Sequence, residues 1–556
     1  MKFKEMEYAR VRIEDVISQF EELISEFKAA TTAEEEFAVH QKYYEYVKDF
    51  DTMTTIASIR NSINTADEFY DEEMKYYREN IPLAQDKMQE YSMLVFNSKN
   101  RDYLEDKLGK VAFKNIELDL KSFNEKMIPF MQEEGKLVQQ YDKLIASAKI
   151  PFKGEEINLS GLRRYMEDTD REVRKEAYEK FSEFFETNKE ELDEIYDKLV
   201  DVRTKQGKAL GHDNYLPLGY CKMRRNCYDK DMLDTFRSQV KKHIVPLAEK
   251  LHEKRRQVLG LDKLSFIDEG IFFNEGNPAP IINDDELLEA GRKMYNELST
   301  ETSEFMNFML DNELLDCYAR KNKKAGGYMT FLANYKAPFI FANFNKTSGD
   351  VDVVTHECGH AFQAFVNRDD EILEHGEISM ETAETHSMSM EFFAEKWMEL
   401  FFGDRADDYR TMHLMDAIIF IPYGCMVDEF QHIIYENPNL TPKERKEVWL
   451  KLESEYRPHM DYSGSKFLEE GGFWQKQTHI YGSPLYYIDY CIAQLNALQF
   501  KIKMTKDFDK AWEDYMKVCK LNAKKFFTEI IDECDLLSPF VDGNIEKIVK
   551  DLEKMI

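Results

Sequence analysis

Residues 351–366 read VDVVTHECGHAFQAFV, and the rest of the chain is best read outward from them. The stretch predicts a helix, in which each residue turns about 100°, so His356 and His360 project from one face roughly 40° apart. Two imidazoles so placed form a zinc clamp. Glu357 then lies beside the metal, where a carboxylate can take a proton from bound water, and the combination points to metal-assisted hydrolysis.

The same helical character extends through most of the 556 residues, which contain only 14 Pro and 23 Gly to interrupt long runs of Glu, Lys, Leu, Met and aromatics. A mainly α fold is expected. Val16, Phe20, Leu23, Ile24 and Phe27 fall at helical spacing in the first of several long amphipathic helices between Arg10 and about Lys149. Breaks are expected near Thr31-Thr32, at Ile81-Pro82 and over Ile150-Pro151-Phe152-Lys153-Gly154. Beyond them, Ser160-Gly161-Leu162 and the run Arg171 to Arg203 continue as helices. Thr441-Pro442-Lys443-Glu444 supplies an N-cap, a first-turn proline and a capping-box glutamate, and so predicts a helix start. The exception is 326–344, GGYMTFLANYKAPFIFANF. Its aromatic and β-branched content predicts a short hairpin or two edge strands just upstream of the clamp, with a free edge that can pair with an extended peptide.

Composition narrows the function. With 43% hydrophobic residues the chain is globular, and 75 basic against 106 acidic residues give a net charge of −31, which repels nucleic acid and anionic membrane surfaces. The N-terminus MKFKEME lacks the apolar core of a signal peptide. The longest apolar run, Ala417 to Val427, contains Pro422 and is too short to span a membrane. Eight dispersed cysteines without a C-x-x-C pair read as reduced thiols. A soluble cytoplasmic protein is expected.

A catalytic zinc keeps three protein ligands and one open position, so a third ligand is required. Gln363 and Val366 stand where a metzincin would carry Gly and His, which excludes that class. The segment Ile378 to Glu391, continuing into Phe392, Phe393 and Trp397, predicts a second long helix. Glu381, Glu384 and Glu391 share one face of it with Ser387 or Met388. Because that helix is otherwise apolar, a carboxylate on it is buried and therefore paired or metal-bound.

The H-E-x-G-H clamp, followed 24 residues after its second His by Glu in the pattern E-T-H-S-M-S-M-E-F-F, resembles the M3 family of zinc oligopeptidases, in particular its oligoendopeptidase F and Pz-peptidase branch. Asp352 and Thr355 before the clamp, Gly207-Lys208-Ala209-Leu210-Gly211 with Asn214-Tyr215, and Ala342-Asn343-Phe344 are similar too. The likeness runs from about Asn158 to Pro539, while the first 150 residues match only in helical character. The resemblance implies that Glu384 is the third ligand of one zinc per chain, held with His356 and His360. It also implies a large helical ellipsoid divided by a deep substrate channel, with a small β-sheet beside the site. Region 1–150 would then flank the channel and 151–556 would form the catalytic region.

The tetrahedral oxyanion of such a reaction needs donors aimed where its charge develops. Glu469 to Tyr490 is a loop entering a helix, with Gly471-Gly472, His479 and four tyrosines. M3 peptidases carry a His and two Tyr after such a loop, which match His479, Tyr487 and Tyr490. Tyr486 is the alternative to Tyr487, and Tyr481 could also face the channel. His375 and His386 read as structural, and Cys358 as a core residue. These readings predict a zinc endopeptidase acting on short peptides, with Glu357 as the base. The rival is a helical peptide-binding scaffold with a non-catalytic zinc site. Oligomeric state and side-chain preference are not written in the sequence.

Overall fold

Apolar spacing becomes packed helix along most of the chain in a computed structural model of residues 1–556. Helix accounts for 71% of residues and strand for 4%, so the fold is mainly α, as its composition dictates. The chain forms two compact units, each assembled from three stretches. The first comprises Met1–Leu120, Ala279–Asp407 and Lys503–Leu536; the second comprises Lys121–Pro278, Asp408–Ile502 and Leu537–Ile556.

In the first unit, helices Ile13–Ala29, Ala33–Ile63 and Glu68–Phe96 enclose a core of Val16, Phe20, Leu23, Ile24, Phe27, Tyr44 and Tyr91. The expected break at Thr31-Thr32 is present, and Thr32 caps the following helix through Glu35. The break at Ile81-Pro82 is not, because Glu68–Phe96 runs straight through Pro82. Pro82 and Arg78, whose carbonyl loses its hydrogen-bond donor, both lie on the exposed face, where water replaces the missing bond.

Five short strands complete the secondary structure. In the second unit, β1 (Ile150–Phe152) and β2 (Glu155–Ile157) form an antiparallel hairpin where only a break is expected. Lys153 and Gly154 turn it with φ of +49° and +84°, the left-handed pair that a two-residue hairpin loop requires. In the first unit, β3 (Leu315–Tyr318), β4 (Tyr328–Leu332) and β5 (Ala337–Phe344) form a sheet in the order β3-β5-β4. The hairpin expected over 326–344 is β4 paired antiparallel to β5, with Lys336 left-handed at the turn. Central β5 is buried on both faces and therefore reads as an unbroken apolar run. β3 pairs parallel to it and leaves no alternation in sequence. β4 is an edge strand.

The sheet feeds the clamp. A four-residue connection after β5 leads to the helix Gly349–Val366, and Asp350 fixes it by accepting from the backbone N–H of Asn345 (2.8 Å) and Lys346 (2.6 Å). In the second unit, Thr441 accepts from the Glu444 backbone N–H and Glu444 returns the bond, so the helix Pro442–Tyr456 starts at its capping box. No helix is long and apolar enough to cross a membrane.

Candidate active site

The clamp helix packs against a second helix, Met380–Ala394, which buries nearly all of its residues. Gly359 sets their separation. A Cβ there would stand 2.6 Å from Ser387 Cα and 2.9 Å from His386 O, so only glycine admits this approach. The close contact carries Glu384 to the clamp: its Oε2 lies 3.4 Å from His356 Nε2 and 3.5 Å from His360 Nε2. Two ligands about 2.05 Å from a tetrahedral ion stand roughly 3.3 Å apart. The three side chains therefore fit a metal ion of zinc's size and preference, with two imidazoles, one carboxylate and room for a fourth ligand.

The second-row contacts were not foreseen in their roles. Glu391 Oε1 meets His356 Nδ1 at 2.6 Å, orienting the ring and fixing Nε2 toward Glu384. Glu391 shares the glutamate face predicted for this helix, but the spacing alone does not separate a ligand from a ligand's support. Ser387 Oγ donates to Glu384 Oε2 at 3.2 Å. Burial disfavours charge on both Glu384 and His356. Their mutual attraction outweighs it, aided by His360 on one side and Glu391 on the other, so Glu384 is held well below the usual carboxylate range and His356 is raised.

Glu357 leaves the clamp toward the sheet. A Cβ built on Gly327, the residue before β4, would sit 3.8 Å from Glu357 Oε1, so the carboxylate lies beside the start of the edge strand. Cys358 is buried with its thiol pushed up by burial. His375 Nδ1 faces Asp370 at 3.0 Å, and burial lowers His386 to about 3.

In the second unit, the 3-10 turn Phe473–Lys476 and the short helix Thr478–Gly482 lead to the helix Tyr487–Lys506. His479 lies with its ring centroid 5.0 Å from Tyr487, 6.0 Å from Tyr490 and 5.9 Å from Tyr486. Its Nδ1 is hydrogen-bonded to the Gln477 side-chain amide at 2.8 Å, and Tyr423 donates to Gln477 Oε1 at 2.9 Å. This network holds the His479 ring in place and leaves Nε2 as its outer nitrogen. Tyr423 and Gln477 carry no motif that singles them out in sequence. Tyr481 is fully buried and stacked on Tyr141 at 3.8 Å.

A second triad, His252, Glu269 and His459, also gathers ligand atoms within 4.8 Å of one another. It does not suit a cation. Glu269 is already held by Arg457 (2.5 Å) and Arg255 (3.3 Å), and the two rings are stacked with centroids 3.5 Å apart, so a shared ion would sit out of both ring planes.

The family model described as Peptidase family M3 matches residues 164–274 and 293–518, more than half of the chain, and that of the Peptidase M3 N-terminal domain matches 3–123. The chain belongs to peptidase family M3. Its likeness to that family thus includes the N-terminal region, where the sequence alone offers only helical character. The solved structure titled Pz peptidase A with inhibitor 2 is 45% identical, with a TM-score of 0.95 over 100% of this chain and 99% of that one. Group B oligopeptidase PepB of Streptococcus agalactiae is 26% identical over 43% of this chain and 39% of its own length. Oligopeptidase PepF of Bacillus subtilis is 21% identical over 67% of this chain and 56% of its own. The chain thus spans about half the length of these two curated relatives. M3 is a metallopeptidase family, which agrees with the donor set.

Proposed function

We propose that this M3 member is a cytoplasmic zinc endopeptidase that hydrolyses internal bonds of short peptides. The observation that carries the reading is the approach of Glu384 to both imidazoles of a helix that also bears Glu357. His356, His360 and Glu384 would hold one zinc, whose chemistry is to acidify water and polarise a carbonyl. Glu357 takes the proton from the attacking water and returns it to the leaving amine. His479, donating through Nε2, and the hydroxyls of Tyr487 and Tyr490 stabilise the oxyanion. Their clustering, the Gln477 bond that holds the His479 ring and the family resemblance support this assignment. The free edge of β4, with Glu357 beside Gly327, would seat the substrate in extended form by main-chain hydrogen bonds.

Glu357→Gln tests the reading. The variant should retain zinc and lose several orders of magnitude in kcat on an internally quenched peptide. Wild-type turnover by the zinc-loaded variant would remove Glu357 from the chemistry and favour a different base.

A further inference from the structure

Lys476 is a charged group that the fold leaves without an ion-pair partner. It ends the 3-10 turn Phe473–Lys476, three residues before His479, and is half-buried. Its ammonium lies 3.9 Å from the Phe473 ring centroid and 5.8 Å from that of Tyr423. Arg457 shares the same two rings, at 5.6 Å and 5.5 Å. The two cations are not treated alike. Arg457 is bound by Glu269 (2.5 Å) and by Glu453 (2.9 Å), and Tyr462 also donates to Glu453 (2.5 Å). Lys476 makes no hydrogen bond or ion pair, and Glu269 and Glu453, the acids whose charge acts on it, are both paired with Arg457.

An ammonium on aromatic faces, beside a second cation and without a carboxylate, is costly unless an anion arrives. We propose that Lys476 is a substrate-binding residue that pairs with a carboxylate of the peptide, either an acidic side chain or the free C-terminus. This rests on the peptidase reading above. Burial, then repulsion from Arg457 and Arg163, lowers the Lys476 pKa to about 7 against the weaker pull of Glu269 and Glu453. In the free enzyme the charge is therefore lost as pH rises through 7, and carboxylate recognition is lost with it.

The test uses full-length zinc-loaded enzyme and two matched quenched-peptide pairs, Glu against Gln at one side-chain position and C-terminal acid against amide. At pH 6 wild type should favour the carboxylate member of one pair by at least about tenfold in kcat/KM, through KM; which pair responds identifies the source. The ratio should fall toward one by pH 8.5. In Lys476→Met it should be near one at both pH values, and in Lys476→Arg it should persist without the pH step, because a guanidinium stays protonated. If Lys476→Met misfolds, Lys476→Arg decides, because a pH step that remains in it belongs to another group and overturns the proposal. Equal cleavage of both members at pH 6, or a preference that survives in Lys476→Met, overturns the proposal while leaving the peptidase reading intact; cleavage of no peptide overturns both.

Discussion

Gly359→Ala puts one methyl group at the seam between the two helices that bring His356, His360 and Glu384 together. Helix propensity alone favours the change by about 1 kcal/mol. Packing opposes it, since the new Cβ would meet Ser387 Cα at 2.6 Å, His386 O at 2.9 Å and Met390 Cβ at 3.1 Å. Carbon atoms rest at about 3.5–4.0 Å, so the helices must part by roughly 1 Å. Overpacking of this kind costs about 1–3 kcal/mol, which cancels or exceeds the propensity gain. The metal suffers more, because ligand distances tolerate only about 0.2 Å and the displaced helix carries Glu384. Zinc affinity should fall by at least the 10–100-fold that loss of a metal site's supporting residues typically costs, while the metal-free protein unfolds at or below the wild-type urea midpoint. Competition with a chromophoric chelator and urea titration measure the two effects. A variant that binds zinc as tightly as wild type, or is more stable by the full propensity gain, would refute the claim that glycine sets this approach.

Other perturbations separate further parts of the site and fold. Glu391→Gln should weaken zinc binding about 10–100-fold through the lost orientation of His356, read by the same competition; unchanged affinity would make the 2.6 Å contact incidental. His252 is buried, and burial with the neighbouring His459 lowers its pKa from 6.5 to about 2. The unfolded chain therefore binds a proton there that the folded chain refuses between those limits, so stability falls as pH drops below 6.5 by about 1.4 kcal/mol per unit. His252→Gln should lessen the loss between pH 6.5 and 4.5 by about 2 kcal/mol in urea titrations, and an unaltered slope would contradict the buried neutral imidazole.

Much of this protein is legible in its sequence because the decisive features are local. The clamp spacing, the capping box at Thr441 and the apolar runs of β5 and of the helix at 380–394 each declare themselves within a few residues. What escaped is set by distant neighbours. β3 becomes a strand only because β5 accepts it, and Pro82 is tolerated only because its turn faces water. Gly359 reads as a helix weakness until the partner helix lies against it. Glu391 and Glu384 are equivalent by spacing, and the packing of one helix on the other gives them different contacts. Gln477 and Lys476 gain meaning only from Tyr423 and Arg457, distant in the chain.

The central claim is that one metal ion, held by His356, His360 and Glu384, drives peptide hydrolysis. Chelator-stripped protein titrated with zinc, with metal content and cleavage of an internally quenched peptide followed together, tests it most directly. Activity should be absent without metal, rise in proportion to zinc and saturate at one ion per chain. Peptide cleavage by the metal-free protein, or saturation of zinc binding without any cleavage, would contradict the account.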